Sequence, residues 1–201
     1  MTPPHPGLRI GFVPGATPDK WAARWRDQFP QVRLDLVPVE VTEQEHALAD
    51  GSVDMCVARA PMDRELHHAL PLYDEVPVAV VPRDHPASVF DEVTLADLAD
   101  EQLVQDPTEV PGWVEVATAE RLDWPPMTLK QAIEVVASGS GIVIVPMSLA
   151  RLHHRKDVTS VPVADGPVSS VVLLWRRERD DEWTQRFVGV VRGRTSRSSR
   201  G

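Results

Sequence analysis

The chain has very little cysteine and no long apolar run, and both absences exclude classes of protein. Cys56 is the only cysteine among 201 residues, so neither a disulfide framework nor a zinc site built on cysteines is available. It lies in the strand-like residues 53–58 and is interpreted as a core residue, not a nucleophile. No apolar run could cross a bilayer, and the first residues lack the basic and then apolar layout of a signal peptide. These features predict a cytoplasmic protein without a membrane partner.

An excess of acidic residues argues against nucleic acid as the main partner. The formal net charge is −9, which disfavours phosphate contacts between the folded body and DNA or an anionic membrane. Residues 194–201 are the exception, because they carry Arg194, Arg197 and Arg200 without any acidic or apolar side chain. This composition predicts a disordered basic tail. The tail is either simply solvated or in weak contact with nucleic acid or another protein.

The most regular pattern in the chain covers residues 128–149. Thr128 is a plausible N-cap, and the apolar residues that follow it recur at helical spacing until Gly139 and Gly141 end the helix. The uncharged, β-branched residues 142–145 then predict a strand that is buried on both faces, as in a parallel sheet. The N-terminus of such a helix leaves unpaired N–H groups near Thr128 and favours small anions.

The first sixty residues alternate between strands and helices. The pattern predicts strands over residues 8–13, 32–39 and 53–58, with helices over residues 19–29 and from Thr42 to Ala49, the second of which begins with a capping box. This alternation is typical of a parallel sheet with crossover helices, whose strand ends line a ligand site. Arg59 follows the third strand and is either a carboxylate ligand or a partner in a surface salt bridge.

A proline-rich break divides the chain into two predicted lobes. After residues 82–86 a new series of elements begins, with a helical turn near Leu95, a short strand over residues 102–105 and a turn at Pro107. The apolar strand over residues 168–175 then returns to the first lobe, and a final helix follows three acidic residues. The predicted lobe I therefore comprises residues 7–82 and 167–193, and lobe II comprises residues 83–166.

The first helix carries an aromatic stripe of Trp21, Trp25 and Phe29, spaced four residues apart. The stripe either packs on the sheet or forms a dimer contact. An enzyme would need a positioned nucleophile, base or metal, and the sequence offers little of the kind. The histidine pairs 67–68 and 153–154 are adjacent, so on a strand their side chains point to opposite faces. We predict no catalytic residues, no metal site and no cofactor.

Five segments, taken in order, resemble the effector-binding domain of LysR-type transcriptional regulators, also called the substrate-binding domain, which is similar to type 2 periplasmic binding proteins. The segments are R-I-G-F-V, F-P-Q-V-R-L-D-L, L-A-D-G-S-V-D-M-C-V-A, V-P-R-D-H-P and V-V-A-S-G-S-G-I-V-I-V-P. The likeness spans residues 8–193. It implies an α/β fold of two Rossmann-like lobes joined by two crossover strands.

In this family the ligand lies between the lobes and is held by loops and helix N-termini. Carried over by position, the resemblance implies nine ligand-binding residues: Gly15, Ala16, Thr17, Thr42, Arg59, Ala60, Pro107, Met127 and Thr128. The chain departs from the family where Pro14 and Gly15 replace the usual Ser or Thr, which removes one hydroxyl ligand. The resemblance implies two kinds of partner. One is a small-molecule effector, with carboxylates among the candidates. The other is a second copy of the chain or a full-length regulator, with which it would form a dimer.

Typical family members begin with a winged helix-turn-helix, whereas here the sensing domain begins by residue 8. Either the chain is a fragment of a regulator, or it is a free-standing effector-binding domain that acts in transcriptional regulation without its own DNA-binding domain. We expect the free-standing domain. Two other functions stay open. One is an enzyme on a related two-lobed fold, such as a prephenate dehydratase, for which Thr128 and Asp106 would be the reacting pair. The other is a dimerisation module that uses no ligand.

Overall fold

A computed structural model describes residues 7–193, and the predicted basic tail over residues 194–201 lies outside them. The strands are β1 (Leu8–Phe12), β2 (Leu34–Pro38), β3 (Met55–Arg59), β4 (His67–Glu75), β5 (Pro77–Pro82), β6 (Val143–Pro146), β7 (Val158–Pro162) and β8 (Ser169–Arg176). The helices are α1 (Asp19–Gln28), α2 (Gln44–Ala49), α3 (Trp113–Val116), α4 (Leu129–Ala137), α5 (Met147–Leu152) and α6 (Glu182–Val191).

The chain forms two units, which we call unit 1 and unit 2. Unit 2 is Asp74–Ser169, and unit 1 comprises residues 7–73 and 170–193 of the described chain. The boundary therefore falls earlier than the predicted residue 82. The reason is that β5, which the prediction assigned to lobe I, pairs with β6 and β7 of unit 2. The predicted return of the chain near residue 167 differs from the observed one by only a few residues.

Unit 1 is built on a five-stranded sheet in the order β2-β1-β3-β8-β4. β1 runs parallel to both β2 and β3, with Ile10 opposite Leu36 on one side and Met55 on the other. β8 pairs antiparallel with β3. The predicted parallel arrangement of the first three strands is thus confirmed, and it brings the carboxyl ends of β1 and β3 to the same edge of the sheet.

Helices α1 and α6 cover one face of this sheet with aromatic side chains. Trp25 is fully buried, and its ring centroid lies 5.7 Å from that of Phe187 and 4.7 Å from that of Phe29. Its indole N–H donates to the carbonyl of Val32 at 3.1 Å. Trp21 is only partly buried. The aromatic stripe therefore packs in the core, and Trp25 is not available for the alternative dimer contact.

A buried carboxylate fastens the amino end of β3. Asp54, which precedes β3, accepts hydrogen bonds from the backbone N–H of Arg9 at 2.8 Å and from the guanidinium of Arg179 at 2.9 Å. The Arg9 guanidinium lies 3.3 Å from the same carboxylate. Since a charge is rarely buried without partners, these two arginines account for the position of Asp54. Its role is to join β1, β3 and the segment that precedes α6.

Unit 2 contains a three-stranded sheet in the order β6-β5-β7. β5 pairs antiparallel with both neighbours, so the prediction that β6 belongs to a parallel sheet is wrong. β6 is nevertheless buried on both faces, as predicted, and that is why its sequence resembles a parallel strand. The predicted strand over residues 102–105 is reduced to a single parallel bridge between Leu103 and Ile142.

Gly141 allows the segment over residues 102–105 to lie close to the start of β6. Its φ is +150°, and a Cβ at this position would lie 2.3 Å from the carbonyl oxygen of Gln102. A side chain is therefore excluded on both conformational and steric grounds.

The helix α5 was not predicted, because Pro146 was interpreted only as the end of a strand. Among residues 7–193, no helix is long and apolar enough to cross a membrane.

Candidate functional site

The first candidate site is the edge of unit 1 where β1 and β3 end, which we call the carboxyl edge. After β1 the chain turns through Pro14 and Gly15, and the N–H of Ala16 donates to the carbonyl of Val13 at 3.0 Å. Gly15 has a φ of +82°, a conformation that favours glycine. Ala16 is buried and Thr17 is exposed. The turn thus presents backbone and one hydroxyl group beside the end of β3.

Arg59 is the last residue of β3 and supplies the positive charge of this edge. The residue is buried, with 6% of its surface exposed, and its guanidinium donates to the carbonyl of Pro14 at 3.1 Å. Strand β3 and the turn after β1 are therefore joined by the side chain that the sequence nominated as an anion ligand. The guanidinium is a planar donor suited to carboxylates.

Gln44, the first residue of α2, fixes the backbone of Arg59 and was missed in the sequence. Its side-chain amide donates to the Arg59 carbonyl at 2.8 Å, and its amide oxygen accepts from the Arg59 N–H at 3.0 Å. Gln44 is itself buried, with 6% exposed. A glutamine in the first turn of a helix looked like part of a cap, and only its partner fifteen residues later reveals its role.

Thr42 and Ala60 occupy the segments next to this pair. Thr42 is exposed and lies in a short 3-10 helix over Val41–Glu43, and α2 begins after Glu43 without a side-chain cap. The predicted capping box at Thr42 is therefore wrong, because the tighter 3-10 turn replaces the helical start. Ala60 is exposed, and its N–H donates to the Ser170 carbonyl at 3.0 Å.

The second candidate site is the start of α4 in unit 2. Thr128 forms the predicted N-cap as a full capping box: its hydroxyl accepts from the Gln131 N–H at 3.3 Å, and the Gln131 side chain accepts from the Thr128 N–H at 2.9 Å. Thr128 is exposed and Met127 is partly buried. The hydroxyl is committed to the helix, so any anion here would meet backbone N–H groups of the first turn.

Asp106 is the N-cap of a 3-10 helix over Pro107–Glu109. The Asp106 carboxylate accepts from the N–H and the hydroxyl of Thr108, at 2.9 Å and 2.8 Å. The N–H of Thr108, and next its hydroxyl, hold the pKa of Asp106 below its ordinary value. Asp106 is thus a local capping carboxylate. Among residues 7–193, no group of three or more His, Cys, Asp or Glu side chains could hold a metal ion.

The structure thus brings five of the nine predicted residues to the carboxyl edge of unit 1, namely Gly15, Ala16, Thr17, Arg59 and Ala60. Thr42 lies on the segment that leads to Gln44. The remaining three residues lie in unit 2: Pro107, Met127 and Thr128. The role of all nine in ligand binding stays a prediction.

Solved structures share this fold. The effector-binding domain of BenM with its effector benzoate is 21% identical, with a TM-score of 0.74 over 93% of this chain and 90% of that one. The oxidised form of OxyR is 22% identical, with a TM-score of 0.69 over 92% of each chain. At this level of identity the likeness shows the fold alone. It confirms the predicted α/β architecture of type 2 periplasmic binding proteins.

Sequence comparison identifies the family directly. The transcriptional regulator CatR of Pseudomonas putida is 30% identical over 185 residues, and AlsR of Bacillus subtilis is 23% identical over 198 residues. These matches cover 86% and 91% of this chain, but only 63% and 65% of the two regulators. The family model for the LysR substrate-binding domain matches residues 2–196. The resemblance noted in the sequence is confirmed: the chain belongs to the LysR substrate-binding domain family, the effector-binding domains of transcriptional regulators.

Proposed function

We propose that the chain binds a small organic anion at the carboxyl edge of unit 1 and reports its presence in transcriptional regulation. The observation that carries the proposal is the buried guanidinium of Arg59, held at the end of β3 by its bond to Pro14 and by the Gln44 clamp on its backbone. A positioned guanidinium beside a glycine-containing turn suits a carboxylate.

The effector class is a small carboxylate, for two reasons. An arginine at the end of a strand can form two parallel hydrogen bonds with a planar carboxylate. The turn through Gly15 also allows close approach to its backbone. The solved BenM domain holds benzoate as its effector. Benzoate is therefore the first probe for this chain.

We propose Pro107, Met127 and Thr128 as a second set of effector contacts, tested independently of the first. The capping box uses the Thr128 hydroxyl, so the contribution of this set would come from the free N–H groups at the start of α4. The helix dipole there favours negative charge, by about 0.3–1 kcal/mol at an exposed site. A change of the Thr128 side chain should therefore alter the stability of α4 more than it alters affinity.

Sensing without chemical conversion is the activity that the site supports. The nominated enzymatic pair, Thr128 and Asp106, is engaged with Gln131 and Thr108 respectively. Neither group is set against a base that could activate it. The position of Arg59 at the carboxyl edge favours a ligand-binding role over a purely structural dimerisation module. We further propose that the chain works in the cytoplasm and pairs with a second copy or with a related regulator, and that its folded body reads no DNA sequence.

A titration with small molecules tests the proposal. The chain is mixed with benzoate, two hydroxybenzoates, a short dicarboxylate and neutral benzamide, while thermal unfolding and the amount of each compound are measured. We expect at least one carboxylate to raise the Tm without being consumed, because a ligand at a hundred times its Kd stabilises a protein by about 2.7 kcal/mol. If a compound is consumed, the chain is an enzyme instead. If none of the acids raises the Tm, the dimerisation module is the function that remains.

Two variants assign the effect to the carboxyl edge. Arg59→Gln removes the charge, and Thr17→Glu places a carboxylate on the exposed turn beside it. Both should abolish most of the stabilisation by the acid. Their matched controls are Arg26→Gln and Gln31→Glu, which make the same charge changes at exposed positions of unit 1. If the acid stabilises Arg59→Gln and Thr17→Glu as strongly as the controls, the carboxyl edge is not the binding site.

A further inference from the structure

A cavity lies within unit 2, and of its lining residues only Pro107 is among the effector contacts proposed above. Its volume is 150 Å³. The apolar part of its wall consists of six residues: Leu103, Pro107, Trp113, Val114, Ala117 and Ala119. Leu103 and Trp113 are almost fully buried, with 2% and 4% of their surfaces exposed. The cavity therefore extends from the surface down to the core of unit 2.

A segment without regular secondary structure covers this cavity, and hydrogen bonds hold it in place. The side chain of Gln102 donates to the Glu120 carbonyl at 2.9 Å and accepts from the Leu122 N–H at 3.0 Å. At the other end, the N–H and the hydroxyl of Thr118 donate to the Ala99 carbonyl at 2.7 Å and 3.1 Å. The segment is thus held at both ends by side-chain and backbone hydrogen bonds.

The size of the cavity limits what it can hold. A dry protein cavity of about 150 Å³ accepts benzene, whereas sites for drug-sized ligands start at about 300 Å³. One six-membered ring therefore fits this cavity and a fused pair of rings does not. The indole of Trp113 and the Leu103 side chain offer a ring the contacts that it would gain in a core.

The rim of the cavity carries one acidic and one basic side chain. Glu101 and Arg121 both line the cavity. The Glu101 carboxylate lies 2.8 Å from Nε2 of His85, a residue outside the lining, whereas Arg121 is exposed and forms no ion pair within residues 7–193. The positive charge of Arg121 contributes to the lowered pKa of Asp106, but less than the hydrogen bonds from Thr108 do. The Asp106 carboxylate is already bonded to Thr108. Arg121 is thus the charge at the rim that remains for a ligand.

We propose that this cavity is a separate binding site for a single-ring monocarboxylic acid, with the ring against Trp113 and Leu103 and the carboxylate at Arg121. The site is independent of Arg59 and of the function proposed for the carboxyl edge. A bound ring would contact the covering segment over residues 117–122 on one side and Trp113 and Leu103 on the other. An acid could then bind the chain at two places with different size limits.

Methyl NMR distinguishes the two sites in one titration. The chain is labelled with 13C at the alanine methyl groups, so that Ala117 and Ala119 report on this cavity and Ala16 reports on the carboxyl edge. Benzoate is the probe, benzene is its neutral counterpart, and naphthalene-2-carboxylate is the oversized acid. We expect benzoate and benzene to shift the Ala117 and Ala119 signals saturably, and the two-ring acid to leave them unchanged. These signals can move with or without any change at Ala16.

Variants make the test decisive. Ala117→Leu fills the cavity and should abolish the benzoate response at Ala119, and its control Ala23→Leu adds the same side chain at an exposed position of α1. Arg121→Gln should weaken benzoate by about two- to fivefold, the size expected for an exposed ion pair, without weakening benzene. Arg151→Gln on α5 is its charge control. Ala117 and Ala119 signals that do not respond to benzoate in the unchanged chain overturn the proposal, as does an undiminished response in Ala117→Leu.

Discussion

Gln44 and Arg59 show at the scale of single residues how the carboxyl edge depends on a buried side chain. Replacing Gln44 by Leu retains much of its volume but leaves the N–H and the carbonyl of Arg59 buried without their partners. We expect the free energy of unfolding to fall by about 2–6 kcal/mol, because each of the two unpaired buried groups costs about 1–3 kcal/mol. Denaturant unfolding measures the loss. The exposed Gln31→Leu should stay within about 0.5 kcal/mol of the unchanged chain, and an equally small effect of Gln44→Leu would contradict the clamp.

Cys56 makes a second prediction at this scale, which concerns pH. Burial of the thiol raises its pKa to about 12. The thiol of the unfolded chain ionises near pH 9 while the folded one keeps its proton, so stability is full below about pH 9 and is lost as the pH rises towards 12. The difference in unfolding free energy between the unchanged chain and Cys56→Ala should fall by about 1.4 kcal/mol per pH unit in this window. A difference that stays constant up to pH 11 would refute the assignment.

The start of α4 allows a prediction at the scale of elements. Thr128→Ala removes one half of the capping box and should destabilise the chain by about 1 kcal/mol in chemical unfolding. Thr42→Ala is the matched control, because Thr42 occupies the position where the sequence also predicted a capping box and the structure has none. We expect Thr42→Ala to be close to neutral. Equal losses in both variants would show that the two helix starts are alike after all.

Local patterns in the sequence were sufficient to predict some elements. The run from Leu8 to Phe12, the apolar face of α4 and the glycines after it are each defined by neighbouring residues, and the structure contains them. What the sequence could not predict depends on distant partners. β6 has the composition of a parallel strand because it is buried on both faces, but its direction is set by β5, more than sixty residues earlier. α5 begins directly at the end of β6, where Pro146 hides the change of element.

The candidate site follows the same rule. The position of Arg59 at the end of a strand could be read from the chain, since strand ends are marked by local composition. Gln44 could not be found, because its two bonds are made to backbone groups that carry no sequence signal. The cavity beside Trp113 was also missed. Its covering segment is held by Gln102 and Ala99, and nothing in residues 117–122 by themselves indicates that they enclose a space.

The charge of the whole molecule gives a prediction about nucleic acid. The chain has a net charge of −9, and its last eight residues remove part of the acidic excess. We expect the chain that ends at Gly193 not to bind a labelled DNA duplex in fluorescence anisotropy at about 0.15 M salt, where charges are screened beyond about 8 Å. The full chain serves as the comparison for the tail. Salt-dependent binding by the shorter chain would mean that its surface holds a basic patch strong enough to overcome the total charge.

The two ends of strand β3 serve different purposes: the amino end stabilises unit 1, and the carboxyl end is part of the proposed effector site. The carboxylate before it is enclosed by Arg9 and Arg179 and joins three parts of unit 1, while the guanidinium at its far end lies at the edge proposed for the effector. An engineer who wants a sensor for a different compound could therefore redesign the residues around Arg59 and keep Asp54 with its two arginines as a fixed foundation. Recognition could then be changed without rebuilding the sheet that supports it.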